Sequence, residues 1–158
     1  MNRVHNETTL SRLIRTIAIA SIALLIAACN DDVDVPDGAF DEKIVDISGS
    51  WQVTSVLQNG KDITGLMEFS RLQLTLNNDT QGPSTYSIEN DGIPFIVTQS
   101  GDWQFDDNIY PREMIFSPSG EFIISVFVTP PISGGNDFAI SFALGCEDNK
   151  YVYHLTRQ

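Results

Sequence analysis

An all-β domain, a small antiparallel up-and-down barrel of roughly eight to ten strands, is the fold this sequence predicts. Three observations predict it. From Ser50 onward, apolar and polar residues alternate in short runs. Turn-forming residues separate nearly every run. No stretch carries a helical apolar period long enough for a major helix. A meander of short strands leaves exposed edges that invite aggregation, and rolling it into a closed barrel removes them.

Residues 51–57 form the first expected strand, and Asn59-Gly60 behind it is a tight-turn signal. Residues 63–69 have room for a short helical turn. The clearest strand follows, because Leu72, Leu74 and Leu76 alternate with Arg71, Gln73, Thr75 and Asn77 and so share one face. After Gly82-Pro83 come residues 85–89, then Asp91-Gly92, then an expected strand over 95–99. Residues 102–105 and 113–116 are the next two, followed by Ser119-Gly120. Residues 121–129 carry Phe122, Ile124, Val126 and Val128 on one face and Ile123 and Phe127 on the other, so that strand is expected to be covered on both sides. Pro130-Pro131 and Gly134-Gly135 lead into 138–144. There Phe138, Ile140, Phe142 and Leu144 oppose a face of Ala139, Ser141 and Ala143. That small face either lines a cavity or lets a neighbour pack closely, the second being the commoner outcome in small filled barrels. Asp148-Asn149 turns the chain into a last strand over 151–156.

The barrel is expected over residues 48–158, behind a leader and a linker. Arg3, Arg12 and Arg15 make a positive start, and residues 16–28 then run without a charge. As a helix that run reaches only about 20 Å, short of the roughly 30 Å hydrocarbon layer, which favours a signal peptide over a permanent span. Ile26-Ala27-Ala28-Cys29 resembles the bacterial lipobox. The resemblance implies cleavage between Ala28 and Cys29 and diacylglycerol on the Cys29 thiol, with residues 1–28 removed. It also implies acylation of the new N-terminus, and more than one chain makes membrane attachment stable. In residues 29–47, Asp31, Asp32, Asp34, Asp37, Asp41, Glu42 and Asp46 face only Lys43, as in a self-repelling tether. Asn30-Asp31-Asp32 is similar to an export signal for the outer face of the outer membrane; a solvated spacer explains it as well. The expected location is the cell envelope, lipid-anchored, at the outer membrane and surface-exposed. An EF-hand reading fails, because Gly38 falls one place late after Asp32 and Lys43 stands where a bidentate Glu belongs.

The formal net charge is −12. Loss of the leader, with three arginines against Glu7, leaves the remainder about two charges more negative, which disfavours nucleic acid and anionic lipid surfaces. With Cys29 lipidated, Cys146 has no intramolecular partner, so the domain is expected to fold without a disulfide. His154 is the only histidine behind the leader, and no nucleophile–base pair is recognisable. Cys146 lacks a basic neighbour to make it a thiolate. Zinc spacing is absent from the sequence. Asp106, Asp107 and Asn108 offer oxygen ligands to calcium but read first as a polar loop, and Ser133-Gly134-Gly135-Asn136 reads as a hairpin loop and not a phosphate cradle. No cofactor and no metal are expected.

Gly49-Ser50-Trp51 at the start of the first strand resembles the Gly-x-Trp that opens lipocalins and related calycin barrels. Arg157, just after the last strand, is similar to the arginine that packs over that tryptophan. Together with Gly101-Asp102-Trp103-Gln104-Phe105, the likeness spans residues 47–158 and resembles lipocalin-like domains of bacterial lipoproteins; a second lipocalin signature between middle strands is not evident. The resemblance implies that Trp51 and Arg157 close one end by cation–π contact. It also implies a small apolar or amphipathic ligand in the barrel mouth, with Trp103, Phe105, Tyr110, Phe122, Phe138 and Tyr86 as candidate lining, although core packing accounts for each equally well. A non-enzymatic ligand-binding module is the first functional expectation. A filled barrel acting on an envelope protein partner is the second, and an enzyme is third.

Overall fold

The computed structural model describes residues 36–39 and 41–158. The signal segment, Ala28, Cys29 and the first part of the acidic linker lie outside the described residues. Glu42–Gln158 forms one compact unit; in the other, Met1–Asp41, the described residues include a turn closed by the Ala39 N–H on the Pro36 carbonyl at 3.0 Å.

The elements are β1 (Gly49–Gln58), β2 (Lys61–Asp62), two single-turn 3-10 helices (Thr64–Leu66 and Phe69–Arg71), β3 (Gln73–Asp79), β4 (Gly82–Glu89), β5 (Gly101–Phe105), β6 (Glu113–Ser117), β7 (Ile123–Phe127), β8 (Asp137–Ala143) and β9 (Lys150–Arg157). Strand β1 and strands β3 to β9 pair antiparallel in chain order. β1 then pairs back onto β9, from Trp51↔Arg157 to Gln58↔Tyr151, which closes an eight-stranded barrel. The fold is thus all-β and up-and-down, as the alternation predicts. β2 is an extra two-residue strand on β1, reached through Asn59 (φ 49°) and Gly60 (φ 78°). Two successive left-handed residues match the twist of a tight hairpin, which is why Asn-Gly sits there.

The core lies inside the barrel. Leu72, Leu74 and Leu76 point inward with Met114 and Phe116 of β6, Ile140 of β8, and Tyr153 and Leu155 of β9, all nearly or fully buried. On β1 the buried set runs Trp51, Val53, then Val56. This change of parity follows from a register shift between Val53 and Ser55, where an extra residue turns the strand over. Each large side chain buried in this way contributes about 1.5–3 kcal/mol.

Three sequence expectations are corrected. Residues 95–99 form no strand. The chain from Asn90 to Ser100 is instead a loop that buries Ile93, Phe95 and Val97. The 121–129 strand is shorter, Ile123–Phe127, and is covered on one side only. Phe127 and Ser125 point inward, while Phe122, Ile124, Val126 and Val128 stay 71%, 51%, 49% and 51% exposed. A barrel wall has one inside, and among the described residues nothing packs over this stretch of the outside. The small face of Ala139, Ser141 and Ala143 borders surface grooves instead of an interior cavity, and at Ala139, only 4% exposed, it is closely packed over, the second of the two readings. Finally, Val45 and Ile47, counted with the linker, are core residues at 8% and 1% exposure, so the barrel unit begins ahead of residue 48.

Candidate functional site

One end of the barrel is closed around Trp51. Its ring is fully buried, its Nε1–H donates to the Ile47 carbonyl at 2.9 Å, and it meets Phe138 edge-on with centroids 4.6 Å apart. The Arg157 guanidinium carbon stands 4.5 Å from the Trp51 ring centroid. Its Nε donates to the Gly135 carbonyl at 3.2 Å and its Nη1 to the Ser48 carbonyl. A Cβ at residue 49 would collide with that Nη1, and Gly49 has φ +135°, so glycine is needed here on two counts. The segment leading into β1 is pinned beside this end. Asp46 accepts from Asn78 Nδ2 and from the Ser48 N–H, both at 2.8 Å, and its own N–H donates to Ser133 Oγ at 2.9 Å. Those Ser48 bonds, helped by the Arg157 charge, hold the Asp46 carboxyl below the ordinary carboxylate range.

The loop ahead of β5 acts as a stopper. Phe95 reaches into the interior and packs edge-on against Phe116, Phe142 and Tyr153, with centroids 6.2, 5.4 and 5.5 Å away. Two tyrosine hydroxyls hold the loop by its backbone: Tyr153 donates to the Pro94 carbonyl and Tyr86 to the Gln99 carbonyl, the latter at 2.6 Å. Burial, with the Asp102 charge adding to it, pushes the Tyr86 hydroxyl up to about 12, and burial raises Tyr153 as well. Both therefore stay protonated donors.

The six aromatic residues proposed as a ligand lining do not converge. Trp103, Phe105, Phe138 and Tyr86 are core residues, between 2% and 5% exposed. Trp103, Phe105, Phe127, Phe138 and Trp51 form one continuous chain of ring contacts. Tyr86 belongs to a second chain that runs through Phe116 and Phe95 to Phe142 and Tyr153. Tyr110 and Phe122 project from the surface at 68% and 71% exposure. The space in which a lipocalin would hold a ligand is lined by these packed rings.

The feature that sequence reasoning missed is outside. Phe122, Ile124, Val126 and Val128 make an apolar stripe, widened by Ile115 of β6, which pairs with Ile124. A groove of about 450 Å³ lies on its β8 side, lined by Ile124, Val126, Val128, Ser141, Ala143 and Lys150 among others. On the β5 side, Asp102, Trp103, Gln104, Ile115, Ser117 and Phe122 line another of about 280 Å³. The signal was visible in the sequence as alternation on both faces of one strand. Hydrophobicity does not reveal what covers a residue, so alternation alone reads this face as buried.

The residues considered for chemistry are dispersed. Cys146 is an exposed free thiol on the turn between β8 and β9, and His154, in mid-β9, borders a groove with Ala139 and the 129–137 segment. Asp106 Oδ1 accepts the N–H groups of Arg112 and Glu113, each at 2.9 Å, and Asp107 Oδ1 those of Ile109 and Tyr110 at 2.8 and 3.0 Å. These carboxylates fold their own loop. Among the described residues no group of three or more His, Cys, Asp or Glu side chains gathers as metal ligands.

Fold and site together define an eight-stranded antiparallel β-barrel with buried aromatic and aliphatic side chains inside, compatible with the lipocalin-like architecture that Gly49-Ser50-Trp51 implies. The chain belongs to the family described as Domain of unknown function (DUF5004), whose family model matches residues 28–156. No curated protein and no solved structure matches it.

Proposed function

We propose that this protein is a lipid-anchored, non-enzymatic barrel of the cell envelope that works through its outer surface, as an interaction module for another envelope protein. The observation that carries the reading is the interior, where Phe95 packs edge-on against Phe116, Phe142 and Tyr153. The anchor rests on Ile26-Ala27-Ala28-Cys29 followed by the acidic segment, and attachment at the outer membrane rests on Asn30-Asp31-Asp32. Dispersal of His154 and Cys146 to separate surface positions supports a role without catalysis.

Two measurements test this. Native mass spectrometry of the protein purified from cell extract is expected to give the mass of the chain and its lipid alone; a recurrent small molecule in addition would overturn the surface reading. Metabolic labelling with a fatty acid is expected to mark the protein and to be lost with Cys29→Ser; undiminished labelling of that variant would overturn the anchor. A second reading, a small apolar or amphipathic ligand, has one observation in its favour. The outer groove of about 280 Å³ is lined by Gln104, Ile115 and Phe122 among others, and a ligand found there would be lost with Phe122→Ser.

A further inference from the structure

We infer that the β7 stripe and its seam with β8 form a docking site for an extended segment of a partner protein, apolar at every second residue and basic between. This deepens the surface-acting reading and rests on it. Three observations lead there. The first is the stripe itself. Phe122, Ile124, Val126 and Val128 are each about half exposed or more, at the two-residue spacing of a strand. Together they form one contiguous exposed apolar patch, a feature that on soluble proteins is often functional. The formal net charge of −12 sets two copies against each other, so a second copy of this chain is the poorer occupant.

The second observation is an open seam. β7 and β8 pair only at Val126↔Ser141 and Phe127↔Ile140, extended by the Val128 N–H to the Ala139 carbonyl at 2.9 Å. Toward the start of β7 the register stops. The Phe127 N–H points to β6, where it meets the Arg112 carbonyl, so alternation turns the N–H and C=O of Ile124 toward β8, where the β7–β8 register among the described residues stops at Val126. A strand can extend its ladder onto such groups and lay alternate side chains into the adjoining groove of about 450 Å³. The third observation is charge. Asp102, which lines the β5-side groove with Phe122, and Glu113, which pairs with Val126, border the stripe on its β5–β6 side and call for cations on the incoming segment. Lys150, on the opposite wall of the groove, suits a carboxylate at that end.

The probe is a blocked ten-residue peptide of alternating Val and Lys, titrated into the full chain in detergent by fluorescence anisotropy. Binding is expected, weakening as salt rises. It should fall at least tenfold with Ile124→Lys or Val126→Lys, outward-facing changes that leave the melting temperature in place. A peptide N-methylated at every second residue cannot extend the ladder and is expected not to bind. Hydrogen exchange should slow at Ile124 and Ala143 when the parent peptide is bound. Absence of binding, equal binding of a Val–Glu peptide, undiminished binding of the N-methylated peptide, or dimerisation through the stripe in sedimentation would each overturn the site. Failure here leaves the mass-spectrometric test of the packed interior unaffected, so the two readings fail separately.

Discussion

Phe95 stands edge-on to Tyr153, with ring centroids 5.5 Å apart and planes at 68°, and the Tyr153 hydroxyl donates to the carbonyl of Pro94, the residue immediately before Phe95. The same tyrosine therefore packs against the stopper and fastens its backbone. Phe95→Ala removes the ring that touches Phe116, Phe142 and Tyr153 together and leaves a void. Chemical denaturation is expected to show a loss of about 3–5 kcal/mol. An apolar fluorescent dye that ignores the parent protein should bind the variant. A loss of about 0.5 kcal/mol, the scale of surface changes, would mean that Phe95 does not fill the interior.

The tyrosine hydroxyls also set behaviour in alkali. Burial pushes Tyr86 up to about 12 and raises Tyr153, while unfolded tyrosine titrates near its ordinary value of 10.0. Above that value the unfolded chain sheds protons that the folded chain retains, so stability is complete below pH ~10 and declines as pH rises beyond it. Denaturation midpoints at pH 8 and 11 should differ, and Tyr86→Phe, which has no proton to lose, should narrow the difference. An unchanged difference in that variant would remove Tyr86 from the account.

Particular residues show how much of this was legible. Leu72, Leu74 and Leu76 announced β3 because a half-buried strand prints a period of two into its sequence, and Asn59-Gly60 announced its turn because few residues accept two left-handed positions. Ile93, Phe95 and Val97 print that same period without a ladder partner, so the stopper looked like a strand. Whether such a run pairs depends on neighbours distant in the chain, which periodicity does not encode. Val45 and Ile47 stand among acids and so read as tether, although both are buried in the barrel unit. The outer stripe on β7 was visible as apolar residues and misplaced for the same reason. Trp51 and Arg157 were joined only through a family resemblance, since nothing local to either residue points to the other.

Acid should loosen the β5–β6 connection. Asp106 loses some hydration to burial, but the backbone N–H groups of Glu113 and Arg112 outweigh that cost and hold its carboxyl below 3.8; in Asp107 the Ile109 and Tyr110 N–H groups do the same. Their contribution is complete above the unfolded value and is lost as pH falls through the lower folded values. Asp106→Ala forfeits both bonds and is expected to cost about 1 kcal/mol at neutral pH. The variant should also show a shallower fall in stability between pH 4 and pH 2, measured by denaturant titration. An equal fall in variant and parent would assign the acid sensitivity elsewhere.

At the same end of the barrel, Gly49, Trp51 and Arg157 form a coupled trio that a double-mutant cycle can resolve. Arg157→Ala removes the cation over the Trp51 ring, worth about 0.5–2 kcal/mol, together with donors to the Ser48 and Gly135 carbonyls. Arg157→Lys keeps the charge but loses the planar fork that serves ring and carbonyls together, so it is expected to fall nearer to Ala than to the parent. Gly49→Ala meets two obstacles at once: a backbone at φ +135°, costing about 1–3 kcal/mol, and a Cβ driven into Nη1 of Arg157. In the double variant the collision disappears while the backbone strain persists. Gly49→Ala should therefore cost less in the Arg157→Ala background than in the parent, and the difference measures the contact alone. Strict additivity of the two changes, read from denaturation midpoints, would mean that Gly49 answers only to its own backbone and that Arg157 does not occupy the space above it.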